Sequence, residues 1–138
     1  MPECAWLTPM QAPLASRFYA QEGQRERVRR DERVAVVREN HRIIAALRLS
    51  PRQGHTLLRA LRVAVDRQGR GLALRLLQFA LAETGSSVWC YALPELEPLY
   101  RRVGFVPEST APGPIIDPFK AYCRRQSLRL MQWRPPSE

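Results

Sequence analysis

The sequence predicts an α/β (α+β) domain built around one mixed β-sheet, and three observations support that fold class. Residues 32–66 contain three runs rich in aliphatic and β-branched residues, separated by turn residues. A leucine-rich helical segment at residues 69–83 separates the third run from a further apolar strand at residues 86–93. A strand, a helix and a strand in this order predict a crossover connection, so helices should pack on a sheet that contains parallel neighbours.

The N-terminal part predicts one helix and two strands. The helix is predicted over residues 10–22, ending near Gly23, and its buried side would carry Leu14, Phe18 and Tyr19. The charged run QRERVRRDE that follows indicates an exposed helix end or a loop. Residues 32–40 and 42–50 predict neighbouring strands joined by a tight turn around Asn40 and His41, and residues 51–54 predict the next turn.

The middle of the chain predicts a long strand and the most regular helix. Residues 56–66 alternate along one face through four residues: Leu57, Leu61, Val63 and Val65. The following helix is predicted from about Gly69 to Glu83, with Gly85 stopping it. Its buried stripe would consist of five residues: Leu72, Leu76, Leu77, Ala80 and Leu81.

The C-terminal part alternates short elements. SSVWCYAL predicts a strand in the middle of the sheet, and PELEPLYRR predicts a short helix that ends at Gly104. GFVP begins another strand, and a helix at about residues 114–125 precedes a last strand at residues 127–133. The predicted order is therefore α-β-β-β-α-β-α-β-α-β within a single domain, residues 1–138.

Composition excludes several classes of protein. A length of 138 residues, 45% of them hydrophobic and 25% charged, is typical of one soluble globular domain. No apolar run is long enough to cross a bilayer, and the N-terminus lacks a signal-peptide pattern, so we expect a cytoplasmic protein. The three cysteines, Cys4, Cys90 and Cys123, are too few and too widely spaced for a disulfide framework or a metal cluster, so no metal is expected.

The net charge of +9 comes almost entirely from arginine, because Lys120 is the only lysine. A basic surface attracts polyanions, which include nucleic acids and multiply phosphorylated cofactors. A solvated basic face without a partner explains the charge equally well. Charge alone therefore does not identify the function.

Two glycines stand where the long strand meets the leucine-rich helix, in the segment Gln68-Gly69-Arg70-Gly71. Helix N-termini leave backbone N–H groups without partners, and glycine allows a ligand to approach the backbone closely. The spacing matches neither the dinucleotide fingerprint G-x-G-x-x-G nor a P-loop. The segment is therefore either a simple turn or a cradle for pyrophosphate, to which Arg67, Arg70 and Arg75 would add charge.

The surrounding residues resemble the GNAT superfamily of N-acetyltransferases. Gln68, Gly71 and Ala73 are similar to that family's motif of glutamine or arginine, two variable residues, glycine, one variable residue, and glycine or alanine. PLYRRVGF, about 27 residues later, resembles the family's short helix in which a tyrosine precedes a Gly-Phe turn. The resemblance covers most of the chain and implies a GNAT-like sheet whose two central parallel strands splay apart.

The resemblance also implies that acetyl-CoA is the cosubstrate. Its pantetheine arm would lie along Leu61, Arg62 and Val63, and its pyrophosphate would be wrapped by the turn and the first residues of the helix. The implied residues of that second group are Gln68, Gly69, Arg70, Gly71, Leu72, Ala73 and Leu74. Leu93 departs from the asparagine that many relatives carry, which leaves one cofactor contact open.

For catalysis, the resemblance places Tyr100 as the general acid that protonates the departing thiolate. The sequence selects no general base among His55, Glu95 and Glu97. Cys90 lies beside the expected cleft, but without a histidine partner it is interpreted as a packing residue rather than a nucleophile.

The leading hypothesis is an N-acetyltransferase acting on a primary amine of a small molecule or peptide. The amine would enter between the N-terminal helix, at Phe18 and Tyr19, and the loop at residues 106–114. One alternative acceptor is aminoacyl-tRNA, which the net charge favours, although the arginines cluster only at residues 25–33 and nucleic acid is not the preferred partner. Another alternative is a non-catalytic acetyl-CoA-binding module, and the tyrosine at position 100 argues against it. A homodimer stays open.

Overall fold

The computed structural model describes residues 2–24 and 27–136, in which seven strands form one sheet with the order β1-β2-β3-β4-β5-β7-β6. The strands are β1 Glu3–Trp6, β2 Arg33–Glu39, β3 Arg42–Arg52, β4 His55–Val63, β5 Val88–Ala92, β6 Val106–Pro107 and β7 Arg129–Trp133. The helices are α1 Ala12–Gln21, α2 Leu72–Ala82, α3 Glu97–Arg102 and α4 Gly113–Tyr122. The mixed sheet flanked by helices confirms the predicted fold class. Two residues of the predicted charge run, 25 and 26, lie outside the described residues.

Two tight hairpins build the first half of the sheet. Asn40 and His41 both have positive φ, +50° and +71°, as a two-residue turn between antiparallel strands requires. Gln53 and Gly54, at +47° and +86°, make the corresponding turn between β3 and β4. Both turns lie where the sequence predicts them, although β3 extends two residues further than predicted.

Strand β1 is absent from the sequence-based prediction. Its four residues, ECAW, pair antiparallel with β2 and form one edge of the sheet. A segment this short gives no visible alternation of polar and apolar residues. Its conformation is fixed by pairing with the long strand β2 rather than by local preference.

The central parallel pair, β4 and β5, separates after a few residues. The two strands are in register only through Thr56↔Val88, Leu57↔Trp89 and Leu58↔Cys90. Beyond that point β4 runs on to Val63 and β5 to Ala92 without pairing to each other. The central strands therefore splay apart, and the gap between them opens toward their C-terminal ends.

A β-bulge in β4 coincides with the start of this gap. Between the pairs Arg48↔Arg59 and Ala46↔Arg62, β4 contains one residue more than β3. Ala60 lies in this bulge with a φ of +58°, and its carbonyl oxygen accepts a hydrogen bond of 2.8 Å from the Tyr19 hydroxyl. The helix α1 thus holds β4 in its irregular shape.

The bulge makes one sequence-based prediction wrong. Leu57 belongs to a small buried cluster with Trp89, Ile115 and Leu130, whereas Leu61 and Val63 pack against the larger core. Val65 is 69% exposed in a short 3-10 turn after β4. The four residues therefore do not share a face, because the bulge inserts an extra residue into the alternation.

The helices agree better with their predictions. All five residues of the α2 stripe are buried, as are Phe18 and Tyr19 in α1, but Leu14 is 40% exposed and was wrongly placed inward. The helix α2 begins at Leu72 rather than Gly69, because Gly69 and Gly71 adopt positive φ. It ends at Ala82, before Gly85.

Consecutive residues of the central strands point to opposite faces of the sheet. Leu58 and Cys90 lie in the larger cluster with Tyr100, whereas Leu57 and Trp89 lie in the smaller cluster under Ile115 of α4. The helix α4 therefore covers the face opposite Tyr100. This division separates two sides of the gap between β4 and β5.

The turn after α3 requires glycine. Gly104 has a φ of +105°, and a Cβ added there would lie 3.2 Å from the Trp133 ring. The amide of Phe105 donates to the Tyr100 carbonyl oxygen at 3.1 Å, which closes the turn. The Gly-Phe part of PLYRRVGF thus fixes the end of the helix that carries Tyr100.

We predict that Gly104→Ala lowers the free energy of unfolding by about 1–2 kcal/mol or more, because an alanine is strained at positive φ. Gly85→Ala is the matched control, since a Cβ at Gly85 meets nothing within 4 Å and its φ lies outside the strained range. Urea unfolding of both variants measures the difference. Equal stabilities for the two variants would contradict the requirement for glycine at position 104.

Candidate active site

The connection from β4 to α2 presents unpaired backbone amides. Gly71 is the N-cap of α2 with a φ of +74°, and Gly69 has a φ of +81°. The first amide of the helix that bonds back to the cap is that of Arg75, which donates to Gly71 at 3.1 Å, so the amides before it have no partner within the helix. No other atom lies within 4 Å of a Cβ built at Gly69 or Gly71, so the space in front of this turn is open. Gln68 donates through Nε2 to the Val63 carbonyl oxygen at 3.3 Å, across the turn.

Ion pairs fasten the same connection to the β2–β3 hairpin. Two hydrogen bonds from the Arg42 guanidinium, at 2.9 and 2.8 Å, lower the pKa of Asp66 to about 2. Arg67 bridges Asp66 and Glu39, with one contact of 2.8 Å to each. The charge of Arg67 is therefore already balanced, and its function in the structure is to hold the turn.

The other two arginines near the turn differ from Arg67. Arg75 donates to the Pro2 carbonyl oxygen at 3.1 Å, which ties α2 to the N-terminal strand. Arg70 is exposed, and within residues 2–24 and 27–136 no carboxylate lies within ion-pair distance of it. Arg75 is exposed as well, so what distinguishes Arg70 is that no described hydrogen bond or ion pair holds its side chain.

The splayed part of β4 exposes one backbone edge. Arg62 and Val63 pair with Ala46 and Ala45 on the β3 side, but neither they nor Leu61 pair with β5. The Arg62 side chain turns away to Glu22, at 3.7 Å from its carboxylate and 3.3 Å from its carbonyl oxygen. The strand edge at residues 61–63 therefore offers backbone groups rather than the charge of Arg62.

Tyr100 lies on the face of the sheet opposite α4. It is 5% exposed, and its ring meets Phe105 edge to face with centroids 5.4 Å apart. Burial first, and the neighbouring Cys90 second, raise the pKa of Tyr100 well above its usual range. Its hydroxyl therefore stays protonated and remains a hydrogen-bond donor throughout the physiological pH range.

Cys90 itself is buried, and burial raises the pKa of its thiol. A neutral thiol is a poor nucleophile, which agrees with its interpretation as a packing residue. The two carboxylates considered as bases follow the end of β5, in the turn before α3 and at its first residue. Glu97 pairs with Arg101 at 3.3 Å and with Arg129 at 3.7 Å, and Glu95 lies in the short 3-10 turn before α3.

A cavity of about 560 Å³ lies on the face of the sheet that α4 covers. It reaches Ala60 and Leu93, at the two sides of the gap between β4 and β5. Its other lining residues are Gln24, Arg29, Arg48, Arg52, Leu57, Arg59, Tyr91, Pro118, Tyr122, Gln126 and Leu128. The gap thus has the glycine turn at one end, Tyr100 on one face and this cavity on the other.

The residues predicted to form the entrance for the acceptor do not line this cavity. Phe18 and Tyr19 are buried in the core, and Tyr19 acts through its bond to Ala60 rather than as a wall of the cavity. The opposite wall is α4 with the residues after it, instead of the loop at residues 106–114. The loop pairs with β7 through Val106 and Pro107, which holds its start at the far side of the sheet.

Sequence reasoning also missed the arginines that line this cavity. Arg48 is 1% exposed, pairs with Glu32 at 3.5 Å and lies 4.3 Å from the centroid of the Tyr19 ring. Arg52 is the last residue of β3, and Arg59 lies in the middle of β4, opposite Arg48. In the sequence, the feature that could indicate this cavity is an arginine within a predicted strand. Only the pairing register of the strands shows that three such arginines converge.

Within the part of the chain that the structure describes, no group of three or more His, Cys, Asp or Glu side chains could hold a metal ion. None of the described helices is both long enough and apolar enough to span a membrane.

Comparison with known proteins agrees with this geometry. A family model described as an acetyltransferase (GNAT) domain matches residues 30–107, more than half of the chain. A search of curated proteins finds no match.

Several solved structures share the fold. A GNAT-family acetyltransferase from Streptococcus pneumoniae aligns with a TM-score of 0.73 at 14% identity, covering 99% of this chain and 100% of that one. The ribosomal-protein-S18-alanine N-acetyltransferase from Escherichia coli aligns with a TM-score of 0.69 at 16% identity, covering 100% and 96%.

N-acetylglutamate synthase from Neisseria gonorrhoeae, solved with coenzyme A and N-acetyl-glutamate, aligns with a TM-score of 0.71 at 13% identity. The alignment covers 99% of this chain, which spans about a third of the synthase, 36% of its length. At these identities the likenesses support the fold, and the family model supports the family. The chain belongs to the GNAT family of acetyltransferases and is an acyltransferase.

Proposed function

We propose that this protein transfers an acetyl group from acetyl-CoA to a primary amine of a small molecule or peptide by direct attack of the amine. The observation that carries the proposal is the gap between β4 and β5, which begins after Leu58 and Cys90. The gap connects the glycine turn, the Tyr100 hydroxyl and the cavity beside α4. Two similar folds are named for N-acetyl transfer to amines, that of glutamate and that of a protein alanine, which supports this reaction type.

The glycine turn fits the pyrophosphate of acetyl-CoA. Open space in front of Gly69 and Gly71 leaves room for a phosphate group against the backbone. The amides at the start of α2 would donate to its oxygens, and the helix dipole favours negative charge there. The residues that would hold this part are Gln68, Gly69, Arg70, Gly71, Leu72, Ala73 and Leu74. Arg70, whose side chain no described hydrogen bond or ion pair holds, would add positive charge.

The unpaired edge of β4 fits the pantetheine arm. Amide groups of an extended ligand pair with a free strand edge as an additional strand would. Leu61, Arg62 and Val63 present such an edge toward the gap, since their other edge is occupied by β3. Because the Arg62 side chain is engaged by Glu22, this contact would depend on backbone and would be insensitive to the residue type at position 62.

Acetyl-CoA supplies a thioester carbonyl that a neutral amine can attack. The Tyr100 hydroxyl would donate its proton to the thiolate that departs, and burial keeps that proton in place before the reaction. The amine must lose a proton, yet none of the described cavity-lining residues is Asp, Glu or His. We therefore propose that water in the cavity carries this proton away rather than His55, Glu95 or Glu97.

We predict that acetyl-CoA raises the melting temperature of the protein, and that Gly71→Glu abolishes the rise. A ligand at ~100 times its dissociation constant adds about 2.7 kcal/mol to the folded state. Gly54→Glu is the matched control, because Gly54 also has positive φ, at +86°, with open space around it. Both variants carry the same strain and charge, and only one lies in the turn. A wild-type protein that binds no coenzyme A by calorimetry would contradict the proposed cosubstrate.

We predict that Arg70→Gln weakens coenzyme A binding by about 5-fold, since an exposed charge pair contributes up to about 1 kcal/mol. Arg102→Gln removes an exposed charge at the end of α3 and serves as the control. Calorimetric titration at low and at physiological salt compares the two. If both substitutions have the same effect, the contribution is that of net charge and not of the turn.

We predict that Tyr100→Phe lowers kcat by roughly 10²-fold with little change in KM, because the lost proton donor acts in the transition state and not in ground-state binding. Phenylalanine keeps the edge-to-face contact with Phe105, so stability should fall by no more than ~1 kcal/mol. Initial rates of thiol release measure the effect. A folded Tyr100→Phe enzyme with wild-type kcat would remove Tyr100 from the mechanism.

A further inference from the structure

The cavity beside α4 is lined by several basic side chains. Four arginines line it, Arg29, Arg48, Arg52 and Arg59, whereas none of its described lining residues is a carboxylate. A concave site with charges of one sign concentrates ligands of the opposite sign. We propose that the acceptor is an anionic small-molecule amine, whose carboxylate or phosphate is held by these arginines. This inference rests on the proposed acetyl transfer.

Arg52 is the side chain that the geometry favours most for this role. It is half-buried at the end of β3, and its Nη1 donates to the neutral carbonyl oxygen of Pro51 at 3.2 Å. Among the described residues, no carboxylate lies within ion-pair distance of it. Arg52 lines the cavity near Tyr91: burial raises the pKa of that phenol to about 12, and the charge of Arg52 opposes the rise. An arginine in this setting can bind a carboxylate or phosphate with two parallel hydrogen bonds.

Arg48 has a different part in the same site. Its charge is balanced by Glu32, and its guanidinium is held over the Tyr19 ring, so it forms a fixed wall of the cavity. Ser50 donates to the second oxygen of Glu32, and the Arg29 amide donates to the first at 2.8 Å. The buried Glu32 therefore fixes both Arg48 and the backbone of Arg29. This arrangement holds Arg29 at the rim of the cavity through its backbone amide, so the contact with Glu32 does not use the guanidinium of Arg29.

The rest of the lining is mostly apolar and aromatic, with Gln24 and Gln126 as its neutral polar side chains. Tyr91 and Tyr122 stand with ring centroids 5.9 Å apart, and the Tyr91 hydroxyl donates to the Ile115 carbonyl oxygen, so Tyr91 offers its ring to the cavity. Leu57, Leu93 and Leu128 add aliphatic surface. A matching ligand combines an anionic group with an apolar body, as an amino acid with an aliphatic side chain does.

The cavity volume favours a small molecule over nucleic acid. About 560 Å³ lies within the range of roughly 300–1,000 Å³ that is typical of small-molecule sites. An aminoacyl-tRNA would need a basic surface extending well beyond the cavity. It is therefore a competing outcome of the test, not a part of the proposal.

The test compares pairs of amines in which one member carries an anionic group and the other does not, with rates referred to the fraction of neutral amine in each. Leucine and leucinamide form one pair, and phosphoethanolamine and ethanolamine form the second; spermidine and leucyl-tRNA complete the panel. Thiol release from acetyl-CoA gives kcat/KM for each. We expect the anionic member of at least one pair to exceed its neutral partner by about 10- to 100-fold, the range for hydrogen bonds to a charged group. The pair that shows the difference identifies carboxylate or phosphate as the recognised anion.

Arg52→Gln then tests the assignment to a residue. It should raise KM for the preferred anionic amine by about 10-fold and leave the rate with its neutral partner unchanged. Arg124→Gln is the matched control, since Arg124 is exposed and does not line the cavity. Thermal melts of both variants exclude loss of fold. Equal loss with the acid and the amide in Arg52→Gln would assign Arg52 a structural role and overturn the assignment.

The outcomes separate this inference from the proposed function. A protein that binds no coenzyme A and acetylates no member of the panel refutes both. Acetylation of leucinamide, ethanolamine or spermidine as fast as the anionic amines refutes only the anionic acceptor. Activity with leucyl-tRNA, with free anionic amines inert, also refutes the small-molecule acceptor while leaving acetyl transfer intact.

Discussion

The shape of the candidate site depends on the hydrogen bond from the Tyr19 hydroxyl to the Ala60 carbonyl oxygen. Ala60 has a φ of +58°, which is unfavourable for a residue with a Cβ. At this bulge β4 contains one residue more than the paired segment of β3. Pairing with β5 has ended two residues before, at Leu58. The buried Tyr19 of α1 therefore supports an irregularity in a central strand, next to the point where the gap between β4 and β5 begins.

The site is assembled from the two faces of the sheet. One face carries Tyr100, packed among apolar side chains that keep its hydroxyl protonated. The other carries the arginines of the cavity and the aromatic rings near α4. The gap connects these faces, so the proposed proton donor in its apolar setting and the proposed basic acceptor site would act on the same atoms without neutralising each other's charge. Such a separation would be lost if β4 and β5 paired along their full length.

The sequence predicted the elements with strong periodicity and the turns with strong residue preferences. The stripe of α2, the Asn40-His41 turn and the glycine ends of the helices follow from local rules, and the structure confirms them. Strand β1 and the face of β4 could not be predicted, because one depends on a partner strand and the other on a bulge held by a helix distant in sequence. The basic cavity was missed for the same reason. Arg48 and Arg59 become neighbours only through the register of β3 with β4.

The ion pairs that fasten the glycine turn have a consequence for how the protein responds to its solution. The side chains of Arg42 and Asp66 are 48% and 53% exposed, so dissolved ions screen the attraction of Asp66 to Arg42 and Arg67 more than that of the less exposed pair Arg67–Glu39. Salt would therefore lower the affinity for the cosubstrate in two ways. It would screen the charge of the phosphates, and it would weaken the ion pairs that hold the glycine turn in the conformation that binds them. Asp66, whose pKa is lowered to about 2, keeps its charge until the medium is strongly acidic, so acid weakens this attachment only below about pH 4. Ionic strength, rather than mild acidity, is thus the solution variable to which the shape of this loop is sensitive.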